Sequence, residues 1–211
     1  MNHTFKNLTI VNHPLVEDKL SRLRNKETPY YQFKQLLEEI SQFLFYAATA
    51  DLETVPREIE TPLEKMETRV LKQEILLVPI LRAGLGMING IFNIRKEARV
   101  GMIGMYRDHN TLQPVDYYLN LTDHFHEMAV FLLDPMLATG GSASAALDRL
   151  KEKGAKNLTF IALLGAPEGV EVLAKNHPDV KIYIAALDRQ LNEKGYILPG
   201  LGDAGDRYFG V

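Results

Sequence analysis

From residue 74 onward, short apolar runs recur with room for a helix between them: Ile75 to Leu81, Val100 to Tyr106, Met128 to Leu133, Leu158 to Leu164 and Ile182 to Leu187. Helical candidates at Gly84 to Phe92, Gly141 to Glu152 and Glu168 to Lys175 fill most of the gaps. A strand that is apolar throughout is buried on both faces. Alternation of such strands with helices predicts an α/β fold, a parallel sheet covered on both sides. One interval departs from the rhythm. Residues 107 to 127 are polar and contain Pro114, with Val115, Tyr117 and Leu119 alternating rather than forming a helical stripe. A long excursion of this kind in a compact α/β domain reads as a functional lid or arm.

Upstream of the alternation, Phe33, Leu36, Leu37, Ile40, Phe43, Leu44 and Ala47 recur at spacings of three and four after Thr28-Pro29, which predicts an amphipathic helix packed on the core. Val55 to Thr61 alternates and predicts a half-exposed strand. The segment Asn192 to Gly210 holds five glycines and a proline in nineteen residues, yet Tyr196, Ile197, Leu198, Leu201, Tyr208 and Phe209 are too apolar for a disordered tail. It reads as an ordered, tightly turned loop.

Composition narrows the classes. At 211 residues the chain fits one domain, and 46% apolar residues suffice for its core. A net charge of −3 argues against a protein that coats nucleic acid. Without cysteine there is no disulfide frame, thiolate metal site or thiol nucleophile. The start MNHTFKNLTIVNH has no apolar signal core, and the apolar runs are too short to cross a bilayer. The expectation is a cytoplasmic protein with no membrane and no nucleic-acid partner.

In an open α/β sheet, ligands collect at the carboxyl ends of strands. Three motifs fall there. In "DPMLATGGS", Asp134 to Ser142, Gly140 and Gly141 let backbone N–H groups turn inward, Thr139 and Ser142 add hydroxyls, and the next helix adds its positive end. Such a loop suits a phosphate monoester. In "VPILRAGLG" a strand end delivers Arg82 into a turn, and in "GMYRD" Arg107 ends the next strand. Arginine matches phosphate oxygens with a planar two-point contact. Two arginines and an anion cradle at one edge predict a substrate with several phosphates. No Ser/His/Asp or Cys/His nucleophile set is visible. His124 and His126 read as solvated loop histidines, lacking a nearby third ligand for a metal.

The motifs "VPILRAGLGM", "GMYRD", "DPMLATGGS" and "GYILPGLGDAGDR", with Tyr46 to Thr54, closely resemble the uracil phosphoribosyltransferase family over essentially the whole chain. The resemblance implies a type I phosphoribosyltransferase fold: a central, mostly parallel five-stranded sheet with flanking helices, a small hood and a mobile arm. As one domain, 1–211, it would have its core at about 70–190, its hood from the N-terminal segment and 191–211, and its arm at about 107–127. It implies transfer of phosphoribose from 5-phosphoribosyl 1-diphosphate (PRPP) to N1 of uracil, giving UMP and diphosphate in pyrimidine salvage.

Carried over by residue, the resemblance makes Asp134, Pro135, Met136, Leu137, Ala138, Thr139, Gly140, Gly141 and Ser142 the ribose 5-phosphate site. Arg82 and Arg107 become diphosphate ligands. Ile197, Gly202 and Ala204 offer backbone groups to uracil. Asp203 is the acid near the base, the ribose and the metal, and with Arg107 it is assigned a catalytic part. The paired acids common in the wider superfamily are reduced to Asp134, because Pro135 follows it. Mg²⁺ is expected through PRPP and water rather than a protein cage. A homo-oligomer, dimer or tetramer, and GTP as an effector are expected too. His109 and Asn110 stand where many relatives carry acids. The rival within this fold, an RNA-binding pyrimidine regulator, predicts a basic face, whereas the helices carry mixed charges.

Overall fold

The computed structural model describes residues 5–107 and 114–211, with side chains described outside 106–116. Strand β1 (Leu8–Ile10) leads into helices α1 (Pro14–Arg24) and α2 (Tyr30–Ala48), then into a hairpin of β2 (Thr54–Glu60) and β3 (Lys65–Leu71). The alternating body runs through β4 (Ile75–Leu81), α3 (Leu85–Phe92), β5 (Arg99–Val100), β6 (Met102–Arg107), β7 (Pro114–Asn120) and β8 (Ala129–Leu133). It continues with β9 (Met136–Leu137), α4 (Gly141–Glu152), β10 (Asn157–Gly165), α5 (Pro167–Asn176) and β11 (Lys181–Leu187). Short strands β12 (Gln190–Leu191) and β13 (Ile197–Leu198) and helix α6 (Ala204–Phe209) form the tail.

Five long strands lie parallel in the order β11-β10-β8-β4-β6, the sheet read from the apolar runs. Among the described residues the sheet reaches nine strands. β1 extends the β11 edge in parallel, β7 closes the β6 edge antiparallel, and β5 and β9 add two-residue ladders to β4 and β10. The alternation Val115, Tyr117, Leu119 thus belongs to β7, the return strand of a hairpin with β6.

Why the central strands carry no polar alternation is plain along β8. Ala129, Phe131 and Leu133 enter the apolar cluster shared with α2 and α3, while Val130 and Leu132 enter the cluster under α4 and α5. On the first face, α2 buries Phe33, Leu36, Leu37, Ile40, Leu44 and Phe45. Each such side chain stabilises the fold by about 1.5–3 kcal/mol relative to exposure. The order also reverses here: the chain leaves β4 for β6 on one side, then returns to β8 on the other. Strand-end ligands gather at such a switch. Arg82 follows β4 and Asp134 follows β8, so the two motifs meet at that point.

Candidate active site

Asp134 follows directly on buried β8, and its backbone N–H donates to the Ile161 carbonyl of β10 at 3.2 Å. Its Oδ1 accepts from the Met136 N–H at 3.4 Å. Enclosure in the strand end penalises the charged carboxylate and pushes its pKa up to about 7, a rise that the Met136 N–H partly opposes. Asp134 faces a cleft of about 250 Å³ with Met136, Ala138, Ile197, Gly202, Asp203 and Ala204 around it. Residues from two motifs about sixty positions apart thus share one cavity. Pro135 and Leu137 stand otherwise. Both side chains are buried, and their carbonyls accept amides of β10 and of Ala166, so they hold the loop to the sheet.

The loop after Ala138 turns at Gly140, whose φ of 78° lies in the left-handed region. A Cβ there would stand 2.8 Å from the Gly169 carbonyl oxygen on α5. Only glycine satisfies both the turn and that approach. Gly141 then opens α4; its N–H donates to Thr139 Oγ1 at 3.4 Å, and the first turn of a helix has no carbonyl one turn back, an arrangement suited to an anion. Thr139 is exposed and Ser142 half-buried.

What fixes the start of α4 is a buried cross-link. Ser144 Oγ lies 2.9 Å from His177 Nε2, and Asn176 Nδ2 donates to the same hydroxyl at 3.2 Å. Sequence inspection found no Ser/His pair, yet the fold makes one. Ser144 and His177 are 6% and 1% exposed, sealed from substrate, with Asp148 3.9 Å from the ring. Desolvation first, then the Lys151 charge, lowers the His177 pKa and keeps the ring neutral. The pair clamps α4 to α5 and is no nucleophile.

On the other side of the switch, Leu81–Arg82 is a cis peptide. Gly84 is needed for contact rather than torsion, since a Cβ there would lie 2.5 Å from the Leu133 carbonyl oxygen. The Arg82 side chain is 66% exposed, its guanidinium 3.8 Å from Asp206 Oδ1 and 5.7 Å from the Phe209 ring centre. An exposed pair of this kind holds little energy, so the arginine is free to engage a ligand. Arg107 ends β6, but its side chain, like His109 and Asn110, lies outside the described residues.

The tail is ordered, as its apolar residues suggested. Asn192 Oδ1 accepts from the N–H groups of Lys194 and Tyr196, closing the turn between β12 and β13. Ile197 buries its side chain in the core and also borders the cleft. Asp203 Oδ1 caps α6 by accepting from the Asp206 N–H at 2.9 Å, so one oxygen of the expected acid holds its own loop. Beside the first cleft, a wider recess of about 600 Å³ shares Gly202 and Asp203 and carries Arg24, Lys26 and Arg207.

Three positioning residues escaped the sequence reading. Arg24, at the end of α1, makes two bonds to Asp188, 2.7 and 2.6 Å, and a third to the Gly200 carbonyl. Asp188 Oδ2 accepts from the Gly200 N–H. Arg207 donates to the carbonyls of Leu201 and Asn25 and lies 4.5 Å over the Phe33 ring. Together they tie α1, the end of β11 and the tail into one rigid wall. The visible signal was Asp188 itself, an acid ending an apolar strand much as Asp134 does.

The raised pKa of Asp134 gives a pH test. A ligand hydroxyl donates best to the ionised carboxylate, so affinity for a hydroxyl-bearing ligand at Asp134 should rise as pH climbs through 7. Between pH 6 and 8, parent kcat/KM divided by that of Asp134→Asn should grow roughly tenfold. The ratio cancels titration of the substrate. The linkage has the opposite sign for folding. Because the folded pKa lies above its unfolded value, this group favours the fold below about pH 4, and the contribution is lost as pH rises to about 7. Parallel profiles for parent and variant would remove Asp134 from the ligand site.

Comparison with known proteins places this geometry in a family. The family model described as uracil phosphoribosyltransferase matches residues 10–211. A protein named uracil phosphoribosyltransferase from Acholeplasma laidlawii is 52% identical over 204 residues, 97% of this chain and 98% of its own. One of the same name from Clostridium botulinum is 54% identical over 202 residues, 95% and 97% of the two chains. A solved structure of a protein from Aquifex aeolicus superposes with a TM-score of 0.90 at 35% identity, covering 97% of this chain and 98% of that one. A hypoxanthine-guanine phosphoribosyltransferase from Bacillus anthracis, 14% identical, shares the fold at a TM-score of 0.53 over 75% of this chain and 80% of that one.

Proposed function

Because this chain belongs to the uracil phosphoribosyltransferase family, we propose that the cleft between Asp134 and the tail is where it transfers 5-phosphoribose from PRPP to N1 of uracil, yielding UMP and diphosphate. One observation carries the assignment: Asp134, Met136 and Ala138 of the phosphate-loop motif and Ile197, Gly202 and Ala204 of the tail line the same cavity. Uracil and the ribose of PRPP have to meet within bonding distance, and this cavity joins the two recognition elements.

In this reading the 5-phosphate sits on the N–H groups of residues 139–142, and Asp134 accepts from the ribose hydroxyls. Arg82 and Arg107 face the diphosphate. As the C1–O bond breaks, its electron pair moves onto the diphosphate oxygen. Guanidinium groups placed there stabilise the transition state more than the ground state. N1 of uracil then bonds to C1, with the base held by main-chain groups. The arm at about 107–127, of which residues 108–113 lie outside the described residues, would in this reading exclude water from competing for the ribosyl cation.

Mg²⁺ accompanies PRPP in this proposal. A hard cation of that size binds through one or two carboxylates together with substrate phosphates, and Asp203 at the cleft supplies oxygen of that kind. When bound, the ion adds positive charge beside the leaving diphosphate. A homo-oligomer belongs to the same reading, supported by an apolar groove of about 530 Å³ between α1 and α2 that exposes Leu15 and Tyr46. GTP as an effector and the N-terminal segment with 191–211 as hood complete it. Among the described residues no helix is long and apolar enough to cross a membrane.

The experiment is UMP formation from PRPP and uracil by the parent and by Arg107→Ala. The variant should lose about 10²-fold in kcat, comparable with removing one oxyanion donor. Lysine should restore only part, since it lacks the planar two-point contact. Full turnover in Arg107→Ala would make that arginine structural, and no UMP from the parent would end the assignment.

A further inference from the structure

Residues 121–128 carry the chain from β7 into β8, at the amino ends of the parallel strands and opposite the end bearing Arg82 and Asp134. There His124, His126 and Glu127 each offer one ligand atom, and these atoms all lie within 4.8 Å of one another. We propose that the three residues bind a divalent transition cation of the Zn²⁺ class, at a site separate from the substrate cleft and from the Mg²⁺ that accompanies PRPP.

The donor set decides the class of metal. Two imidazole nitrogens and a carboxylate oxygen suit Zn²⁺ and its neighbours, whereas Mg²⁺ selects an all-oxygen shell. Three protein ligands leave one tetrahedral position for water. His126 Nε2 already lies 3.6 Å from Glu127 Oε1, close to the roughly 3.4 Å between ligands that stand about 2.1 Å from a tetrahedral ion. The two imidazoles stand tilted by 56°, centres 6.2 Å apart, so neither stacks on the other. All three side chains are exposed and free to close by rotation.

The backbone that carries them is fixed. Glu127 N–H donates to the His124 carbonyl and Met128 N–H to the Phe125 carbonyl, both at 3.0 Å. Phe125 packs on the apolar cluster beneath. The Gln73 amide donates to the Glu127 carbonyl at 2.9 Å, and its oxygen accepts from Asn157 at 2.9 Å. From sequence the histidines lacked a third ligand. Glu127 was adjacent, and the short 3-10 turn over 125–127 brings its carboxylate round to the imidazoles. Asp123 and Lys153 line a recess together with His124, one charge favouring a cation and one opposing it.

The test is calorimetric titration of Zn²⁺ into the metal-free full chain in a non-chelating buffer, with Mg²⁺ as the comparison. One equivalent of Zn²⁺ should bind saturably and millimolar Mg²⁺ should not displace it. His124→Gln combined with His126→Gln should weaken Zn²⁺ binding at least tenfold, while His13→Gln, away from the cluster, keeps it. A metal-free melting transition like the parent's confirms that the double variant is folded. Should it lose that transition, Glu127→Gln alone carries the test, with the same tenfold expectation. Zn²⁺ held as tightly by these variants as by the parent, or displaced equally well by Mg²⁺, would overturn the site.

Discussion

Gly140→Val is expected to lower the affinity for PRPP by about 10³-fold while the chain remains folded. Two independent constraints meet at this residue. Its φ of 78° is one that a β-branched side chain avoids, and its missing Cβ leaves room for the Gly169 carbonyl of α5. Valine therefore has to move the loop, and the N–H groups that open α4 lose the aim at the 5-phosphate that the proposal gives them. Losing two hydrogen bonds to a charged group, at about 1.5–3 kcal/mol each, accounts for a factor near 10³. The damage should stay local, because the Ser144–His177 clamp secures the helix one turn further on. Calorimetry with PRPP alone, beside a thermal melt, checks both halves. An unchanged PRPP affinity in a folded variant removes this loop from the site.

That prediction was within reach of the sequence, and it is instructive which neighbours were not. The parallel strands announced themselves because burial on both faces leaves no room for polar residues. Leu76, Leu77 and Val78 are all fully buried. β3 stayed hidden for the converse reason: Lys65 to Leu71 pairs only with β2 and is largely exposed, so the weak alternation of Met66, Thr68 and Val70 with Lys65, Glu67 and Arg69 has no strongly buried face behind it. α1 offers the core just Val16, Leu20 and Leu23, a thin stripe in eleven residues, and it too was missed. The apolar residues of the tail marked it as ordered, but the Arg24–Asp188–Gly200 network that orders it spans 164 and 176 positions. Local pattern has no access to such distances. The upward shift of Asp134 belongs to the same class. Its cause is desolvation by the packed strand ends, which appears only when β8 and β10 lie side by side.

On the proposed assignment, in which main-chain groups read the base, selection of uracil over cytosine should exceed about 10⁴ in kcat/KM. Uracil presents N3–H as a donor between two carbonyl acceptors, and cytosine replaces one carbonyl with an amine. A side-chain amide can flip to suit either base, but a backbone N–H or C=O cannot exchange roles. Cytosine would leave buried groups facing like partners, and sites built on such hydrogen bonds reject an analogue by 10⁴–10⁵. The tail meets the condition of rigidity. Gly200 is held through both its N–H and its carbonyl by Asp188 and Arg24, the Leu201 carbonyl by Arg207, and Asp203 caps the helix that starts at Ala204. The Ile197 side chain points into the core, 4% exposed. Ile197→Val should therefore lose a methylene of packing and leave selectivity nearly intact. Gly202 is different, for its φ of 85° is closed to valine although the space around a Cβ is open. Gly202→Val should rebuild the path of the loop and cost uracil use itself. Measuring kcat/KM for both bases in the parent and the two variants separates these outcomes. A parent that used cytosine within tenfold of uracil would defeat the backbone pocket, and an Ile197→Val enzyme with relaxed selectivity would shift base reading onto side chains.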